Sequence, residues 1–470
     1  MATNYQQLRT QYPEFHYQSF AYHLNDAHIL TASFAYQFGE KYTFTHQVYF
    51  HDVDPQLFKR QSQELLDNLV FHLGLIEAFS YWKLTASPSF IIDCGQLNDD
   101  QIDFWHQLLI NGMGEYFYVN QIDFTIPNFV TFAAHGPQFN LGSAVKNHRD
   151  RLSCVNIGGG KDSAVMLDML AAHHEHYCQL IIDPSSPAAH SMAANTTQKT
   201  FHIKRQFDPQ LFVLNRQNFL NGHVPFSASV AFINLLAATV YDYDYALVGN
   251  ESSSNEPSLQ WLEHTINHQF SKSTKFEQSF QKYCSQYLID NVYYFSFLRV
   301  FNELQIVHIF CSNPHFFSLA KSCNHAQQQN SWCHQCAKCL FVYLLLAVFL
   351  DEHILTTQIF TRNLLNDENL ANLLAQLLGL APTKPLECVG TIAESRAAFY
   401  LAHAHYQNQQ QPLPKLLAQF APQILPATNW PQSVHELSTF FDTNHSLPQW
   451  ALDIVSSYRS SLVDFKYDFK

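Results

Sequence analysis

Residues 152–163 read Leu-Ser-Cys-Val-Asn-Ile-Gly-Gly-Gly-Lys-Asp-Ser, and they restrict the fold more than any other stretch. Leu152–Ile157 has the apolar run of a buried strand. Gly158, Gly159 and Gly160 follow, then Lys161-Asp162-Ser163, then Ala164 to Leu170 with helical spacing. The chain therefore passes from a strand through a glycine turn into a helix N-terminus. Glycine has no Cβ, so successive amides can close around an anion. The first N–H groups of a helix lack internal partners, and the helix dipole favours negative charge there. Ser163 adds a hydroxyl and Lys161 a charge, which makes Gly158–Ser163 a candidate phosphate loop. The plainer reading is a βα turn capped by Asp162 or Ser163.

A chain of 470 residues predicts two or three domains. With 47% apolar and 14% charged residues, it has enough apolar side chain for large cores. The 40 Phe and 23 Tyr predict aromatic packing. A net charge of −13 argues against a nucleic-acid surface, which needs a basic face. The apolar run Leu340–Leu350 falls short of the ~20 residues of a membrane span and predicts a buried helix. The first residues show no basic-then-apolar export pattern. A cytoplasmic protein, without membrane insertion, is expected.

The pattern divides the chain into four parts. In residues 1–126, Phe15, Tyr17, then Leu30 to Phe38, then Tyr42 and Phe44 alternate with period two, the mark of an antiparallel meander. An amphipathic helix over Leu65–Ile76, a strand at Phe90–Cys94 and a helix capped by Asn98 follow, giving an α+β domain. Residues 127–151, with Pro127, Gly136-Pro137 and a mixed-charge run from Lys146 to Arg151, read as a linker. Residues 152–350 alternate strand and helix: strands at Leu152–Ile157, Gln179–Asp183, Phe201–Lys204 and Tyr245–Gly249, helices at Ser163–Ala172 and Ser227–Tyr241. That predicts an α/β fold with a doubly wound parallel sheet and a ligand site off the strands' carboxyl ends. Residues 351–470 read as mostly helical.

Four of the ten cysteines gather late in the third part. Cys323, Cys333, Cys336 and Cys339 are spaced C-x9-C-x2-C-x2-C. Four thiolates suit structural Zn²⁺, and an iron–sulfur cluster uses similar spacing. Lys321 and Lys338 lie beside them. Four protein ligands leave no open position, so the site is expected to be structural.

The loop resembles the Ser-Gly-Gly-x-Asp-Ser loop of the N-type ATP pyrophosphatases (PP-loop enzymes), with Gly158 where the first serine stands. The cysteine site is similar to that of 7-cyano-7-deazaguanine synthases, which share the loop. The ordered set of other motifs is more specific. Tyr81-x-Lys83, Gly112-x-Gly114-Glu115, Asp208-Pro209, Asn221-Gly222-His223-Val224-Pro225, Asn250-Glu251-x-Ser253, Asn267-His268-Gln269-Phe270-Ser271-Lys272, Glu387-Cys388-Val389-Gly390 and Glu394-Ser395-Arg396 together resemble the MurL family of ATP-dependent epimerases. The resemblance implies that the terminal L-glutamate of UDP-N-acetylmuramoyl-L-alanyl-L-glutamate becomes D-glutamate in peptidoglycan precursor synthesis. It implies that ATP is cleaved to AMP and diphosphate, with Mg²⁺, through an acyl-adenylate. An adenylating synthase or ligase like the deazaguanine enzymes is the alternative. A tRNA-modifying adenylase and an ATP-binding module without turnover are further ones.

The resemblance also assigns candidate roles. Gly158, Gly159, Gly160, Lys161, Asp162, Ser163, Asn250 and Glu251 would hold ATP, and Asp162 the departing diphosphate and its metal. His223 and His268 are candidate proton-transfer groups. Lys272 is a candidate cation for carboxylate or phosphate. With 26 histidines in the chain, histidine alone says little. Each of these has a plainer reading as a turn, cap or solvated residue, and Cys388 reads either as a racemase-like thiol or, the commoner case, as a buried structural cysteine.

Overall fold

The computed structural model describes residues 5–147 and 151–462. The first four residues read for an export signal, and three of the mixed-charge run at 148–150, lie outside them.

Period two in the sequence becomes a meander. Strands β1 (Glu14–Leu24), β2 (Leu30–Phe38) and β3 (Tyr42–Phe50) pair antiparallel, with Phe15 opposite Phe38 and Tyr17 opposite Tyr36. Leu30, Ala32, Phe34, Tyr36 and Phe38 are all buried, because every second side chain of a strand points to one face. Asp54 caps the next short helix, and Ser62 caps the long helix Gln63–Trp82 by accepting from Leu65 N. That helix departs from the expected amphipathic one, for it is buried almost all round. Its polar residues meet internal partners: Asn68 donates to Asn140 O and Tyr287 O, and His72 Nε2 bonds the Tyr283 hydroxyl at 2.9 Å.

Strands β4 (Ser89–Ile92) and β5 (Thr131–Ala134) extend the meander in parallel beyond β1. β5 lies in the stretch expected as linker. Then come β6 (Ser153–Asn156), β7 (Tyr177–Asp183), β8 (Thr200–Gln206) and β9 (Tyr245–Val248), a small hairpin of β10 (Leu259–Trp261) and β11 (His264–Ile266), and β12 (Tyr293–Ser296). The chain is α/β, and its main sheet runs β12-β9-β6-β7-β8-β3-β2-β1-β4-β5. The first five are mutually parallel; β8 pairs antiparallel with β3, so sheet and meander are one surface.

Neighbouring residues on the parallel strands enter two different cores. Cys154 and Ala246 pack with the meander and the helices Gln63–Trp82 and Phe226–Tyr241. Val155 and Leu247 pack with Lys161–Ala172, Ala337–Leu346 and Ile392–Asn408. At the junction, Arg205 of β8 forms a two-pronged ion pair with Glu77 of the long helix, at 2.9 and 2.6 Å, and His46 of β3 lies 3.3 Å from the same carboxylate. Among the described residues no helix is long and apolar enough to cross a membrane.

Candidate active site

A cavity of about 410 Å³ opens at the carboxyl ends of β6 and β9. Gly158, Gly160, Asp162 and Ser163 line one part of it, and Asn250 another. Gly160 starts the Lys161–Ala172 helix, and the Ser163 hydroxyl accepts from Gly158 N at 3.0 Å, which closes the loop. Gly159 has φ +81° and packs against Ser186 and Ala189. The segment before the cysteines docks on the loop: Lys321 N donates to Gly159 O at 2.8 Å, and Ser322 Oγ accepts from Lys161 N. Lys321 and Ser322 also line the cavity, a part in the loop that the sequence reading did not assign them.

Two residues expected to hold ATP lie deeper. Lys161 is buried, with its ammonium between the carboxylates of Asp162 and Glu303. Burial would lower its pKa, but those carboxylates and Glu251 outweigh burial and raise it. Glu303 is held down to about 2, since Lys161 and Lys338 outweigh its burial. Glu251 is buried too; burial, then Glu303, raises it to about 7. Asn250 donates to Ser296 Oγ at 3.0 Å. Buried Arg299 ties this region together, donating to Glu251 O at 2.6 Å, to Ser254 Oγ and to Lys272 O.

The same cavity is lined by His223, His268 and Lys272, which the fold brings together. The His223 and His268 rings lie 4.5 Å apart. His268 and Lys272 are joined by a 3₁₀ turn, Phe270–Lys272, rather than sharing a helix face. Lys83 positions the His223 turn by donating to Asn221 Oδ1 and Gly222 O. Glu115, to which the sequence reading gave no role, hydrogen-bonds His268 Nδ1 and lies 3.9 Å from His223 Nδ1. Burial, then the His268 charge, pushes His223 down to about 4. For His268, hydrogen bonds to Cys388 and Glu115 outweigh burial and raise it to about 9. The other motifs are scaffold. Asp208 caps a helix and accepts from Thr45 N, Asn267 closes a turn, and Glu394 accepts from Ser253 Oγ and Glu303 N.

Cys323, Cys333, Cys336 and Cys339 converge, with all four sulfurs within 4.8 Å of one another. Cys336 and Cys339 are 3.4 Å apart, Cys333 and Cys339 3.7 Å. Ligands of a tetrahedral ion at about 2.3 Å lie roughly 3.8 Å from each other, so the four suit one such ion. Ala326 N and Cys333 N donate to Cys323 Sγ, and Cys339 N to Cys336 Sγ, as sulfurs carrying negative charge require.

The family model described as the MurL N-terminal domain matches residues 6–297, and the MurL C-terminal domain matches residues 315–431. The chain is 31% identical over 366 residues to a Xanthomonas oryzae pv. oryzae protein named UDP-N-acetyl-alpha-D-muramoyl-L-alanyl-L-glutamate epimerase, covering 75% of this chain and 79% of that protein. A Micromonospora protein of the same name is 29% identical over 75% of this chain and 78% of its own length. One from Salinispora tropica is 30% identical over 70% of this chain and 72% of its own length. With a strand–glycine-loop–helix unit and paired histidines at one cavity, and with both family domains matched in order, this chain belongs to the MurL family.

Proposed function

We propose that this protein is an epimerase that inverts the terminal L-glutamate of UDP-N-acetylmuramoyl-L-alanyl-L-glutamate to D-glutamate, in peptidoglycan precursor synthesis. The observation that carries the reading is one cavity lined both by a phosphate-loop arrangement and by His223, His268 and Lys272, with Glu115 bonded to His268. The family match supports the substrate.

The five parallel strands, ordered β12-β9-β6-β7-β8, reverse their winding between β6 and β9. We read them as a doubly wound PP-loop core, with its ligand at that switch point. ATP, bound there, supplies an adenylyl group that removes the charge of the glutamate carboxylate beside the α-carbon. The loop backbone at Gly158 and Gly160 borders the phosphates, with Ser163, which accepts from Gly158 N, shaping the loop. Asp162 holds the Mg²⁺ of the departing diphosphate. Lys161 acts from beneath, fixing the carboxylates of Asp162 and Glu303. Asn250 borders the nucleotide, and Glu251 supports it through Arg299. Lys272 holds a substrate carboxylate or phosphate. His223 and His268 shape the proton-transfer end. An α-hydrogen beside an ionised carboxylate is a very weak acid, so activation precedes proton removal.

The four cysteines hold structural Zn²⁺, whose thiolate charge orders the segment that carries Lys321 and Ser322. The ten free cysteines suit a reducing compartment such as the cytoplasm.

Incubation with the UDP-muramoyl dipeptide, ATP and Mg²⁺ tests the reading, with chiral analysis of the glutamate and assay of AMP. D-Glutamate in a product of unchanged mass, with AMP released, is expected. A product of altered mass would mean a synthase, and inversion at full rate without ATP would remove the adenylation step.

A further inference from the structure

We propose that Cys388 is a catalytic residue of this reaction, its sulfur taking the proton from the glutamate α-carbon on one face; the inference rests on the epimerase reading above.

The geometry fixes this sulfur from every side. Cys388 lies in the loop before the Ile392–Asn408 helix and lines the same cavity as Asp162. On one side of it, the Glu387 carboxylate accepts from Ala337 N at 3.1 Å and Lys338 N at 3.0 Å, at the start of the helix that Cys336 caps. On the other side, Val389 O accepts from Gln269 Nε2 at 3.0 Å, and Gln269 adjoins His268. A Cβ on Gly390 would lie 2.6 Å from the Phe341 ring, so the loop is pressed onto that helix. The sulfur is thereby held 3.4 Å from Lys272 Nζ and 3.7 Å from His268 Nε2, whose Nδ1 is bonded to Glu115. Carboxylate, imidazole and sulfur stand in series, with an ammonium beside the last.

The electrostatics agree. Burial would raise the Cys388 thiol; the charge of Lys272, the bond and charge of His268 and the charge of Lys338 outweigh it and bring it down to about 6. The Glu115 charge acts on His268, and the Glu251 and Asp162 charges act on Lys272. Cys154 and Cys284, by contrast, sit in apolar cores where burial pushes their thiols up. Both directions favour the pair as a thiolate beside an imidazolium. His268, already carrying its proton, keeps the sulfur ionised rather than acting as the base.

In the step itself a sulfur lone pair takes the α-proton. The S–H bond forms, the C–H bond breaks, and its electron pair moves into the activated carboxyl as an enolate. Water delivers a proton to the opposite face, the new C–H bond forms there, and the thiol returns its proton to solvent. One proton leaves the carbon and one arrives.

The test runs C388A and C388S with the UDP-muramoyl dipeptide, ATP and Mg²⁺ in D₂O. Both should release AMP, while the glutamate stays L and free of deuterium, inversion falling by roughly 10²-fold or more. Inversion within a few-fold of wild type would overturn the proposal. So would loss of AMP release together with inversion in protein that melts like wild type. If the wild type itself gives neither AMP nor D-glutamate, the epimerase reading fails instead. A second measurement leaves residue 388 itself unchanged. In intact wild type, iodoacetamide labelling of residue 388, read by peptide mass spectrometry, should follow an ionisation near pH 6, and in H268Q it should shift to higher pH. Labelling that begins only near pH 9 in wild type would overturn the thiolate.

Discussion

At Gly159 a Cβ would lie 2.5 Å from Ala189 N and 2.7 Å from Ser186 Oγ, on a backbone at φ +81°. Gly159→Ala should therefore displace the loop and cut AMP formation by roughly 10²-fold, as loss of an anion-binding contact does. At Gly158 the same addition meets only Ser163 Oγ, at 3.9 Å. Gly158→Ser, which restores the hydroxyl of the related loops, should fold normally and keep or raise AMP formation; a fall comparable to that of Gly159→Ala would count against the phosphate loop. Glu77 and Arg205 give a prediction about stability alone. Breaking a buried pair from one side leaves a buried charge, so Arg205→Met should cost about 3–5 kcal/mol in urea denaturation. The double variant Glu77→Met, Arg205→Met should recover a large part of that loss. The glycine loop was legible in the sequence because its demands are local: no Cβ, a helix start, a hydroxyl. The placing of His268 between Cys388 and Glu115 was not, since it joins three distant segments and leaves no pattern in any of them. All three residues did sit in the motifs named above, which gave their position without their partnership.

Elements show the same division. Four of the five parallel strands and the helices Lys161–Ala172 and Phe226–Tyr241 were readable from apolar spacing, β12 was not, and Asn98 forms the expected cap. The Gln63–Trp82 helix misled because Leu65, Leu66, Leu69, Val70, Leu73 and Ile76 have the spacing of one apolar face, with polar Asn68, His72 and Glu77 on the same helix. Only their tertiary partners show them to be buried. β5 was hidden because four residues between glycines and prolines carry too little periodicity to register. The cysteine element couples to the loop through one peptide bond, since Ser322 touches Lys161 N and Cys323 follows it. We therefore expect about one zinc per chain, and Cys336→Ser should lower melting temperature and AMP formation together. Metal analysis that finds iron with sulfide, or no metal at unchanged stability, would remove the zinc assignment.

The molecule as a whole should be sensitive to acid. His46, His72 and His223 are each pushed down to about 4, first by burial. A histidine depressed in the fold stabilises it above the unfolded value near 6.5, and that contribution is lost as pH falls through about 4. The urea midpoint should drop between pH 6.5 and 4, and a midpoint flat across that window would mean that these histidines are not buried neutral. The sheet that unites meander and parallel strands has one more consequence, for synthesis. Phe50 of β3 pairs with Ile203 of β8, so the edge of β3 emerges from the ribosome long before its partner. At roughly 5–20 residues per second, that delay is on the order of ten seconds. Throughout it, an aromatic-rich strand presents an open row of backbone donors and acceptors to any other nascent strand nearby. That interval, rather than the finished fold, is when this protein is most exposed to aggregation.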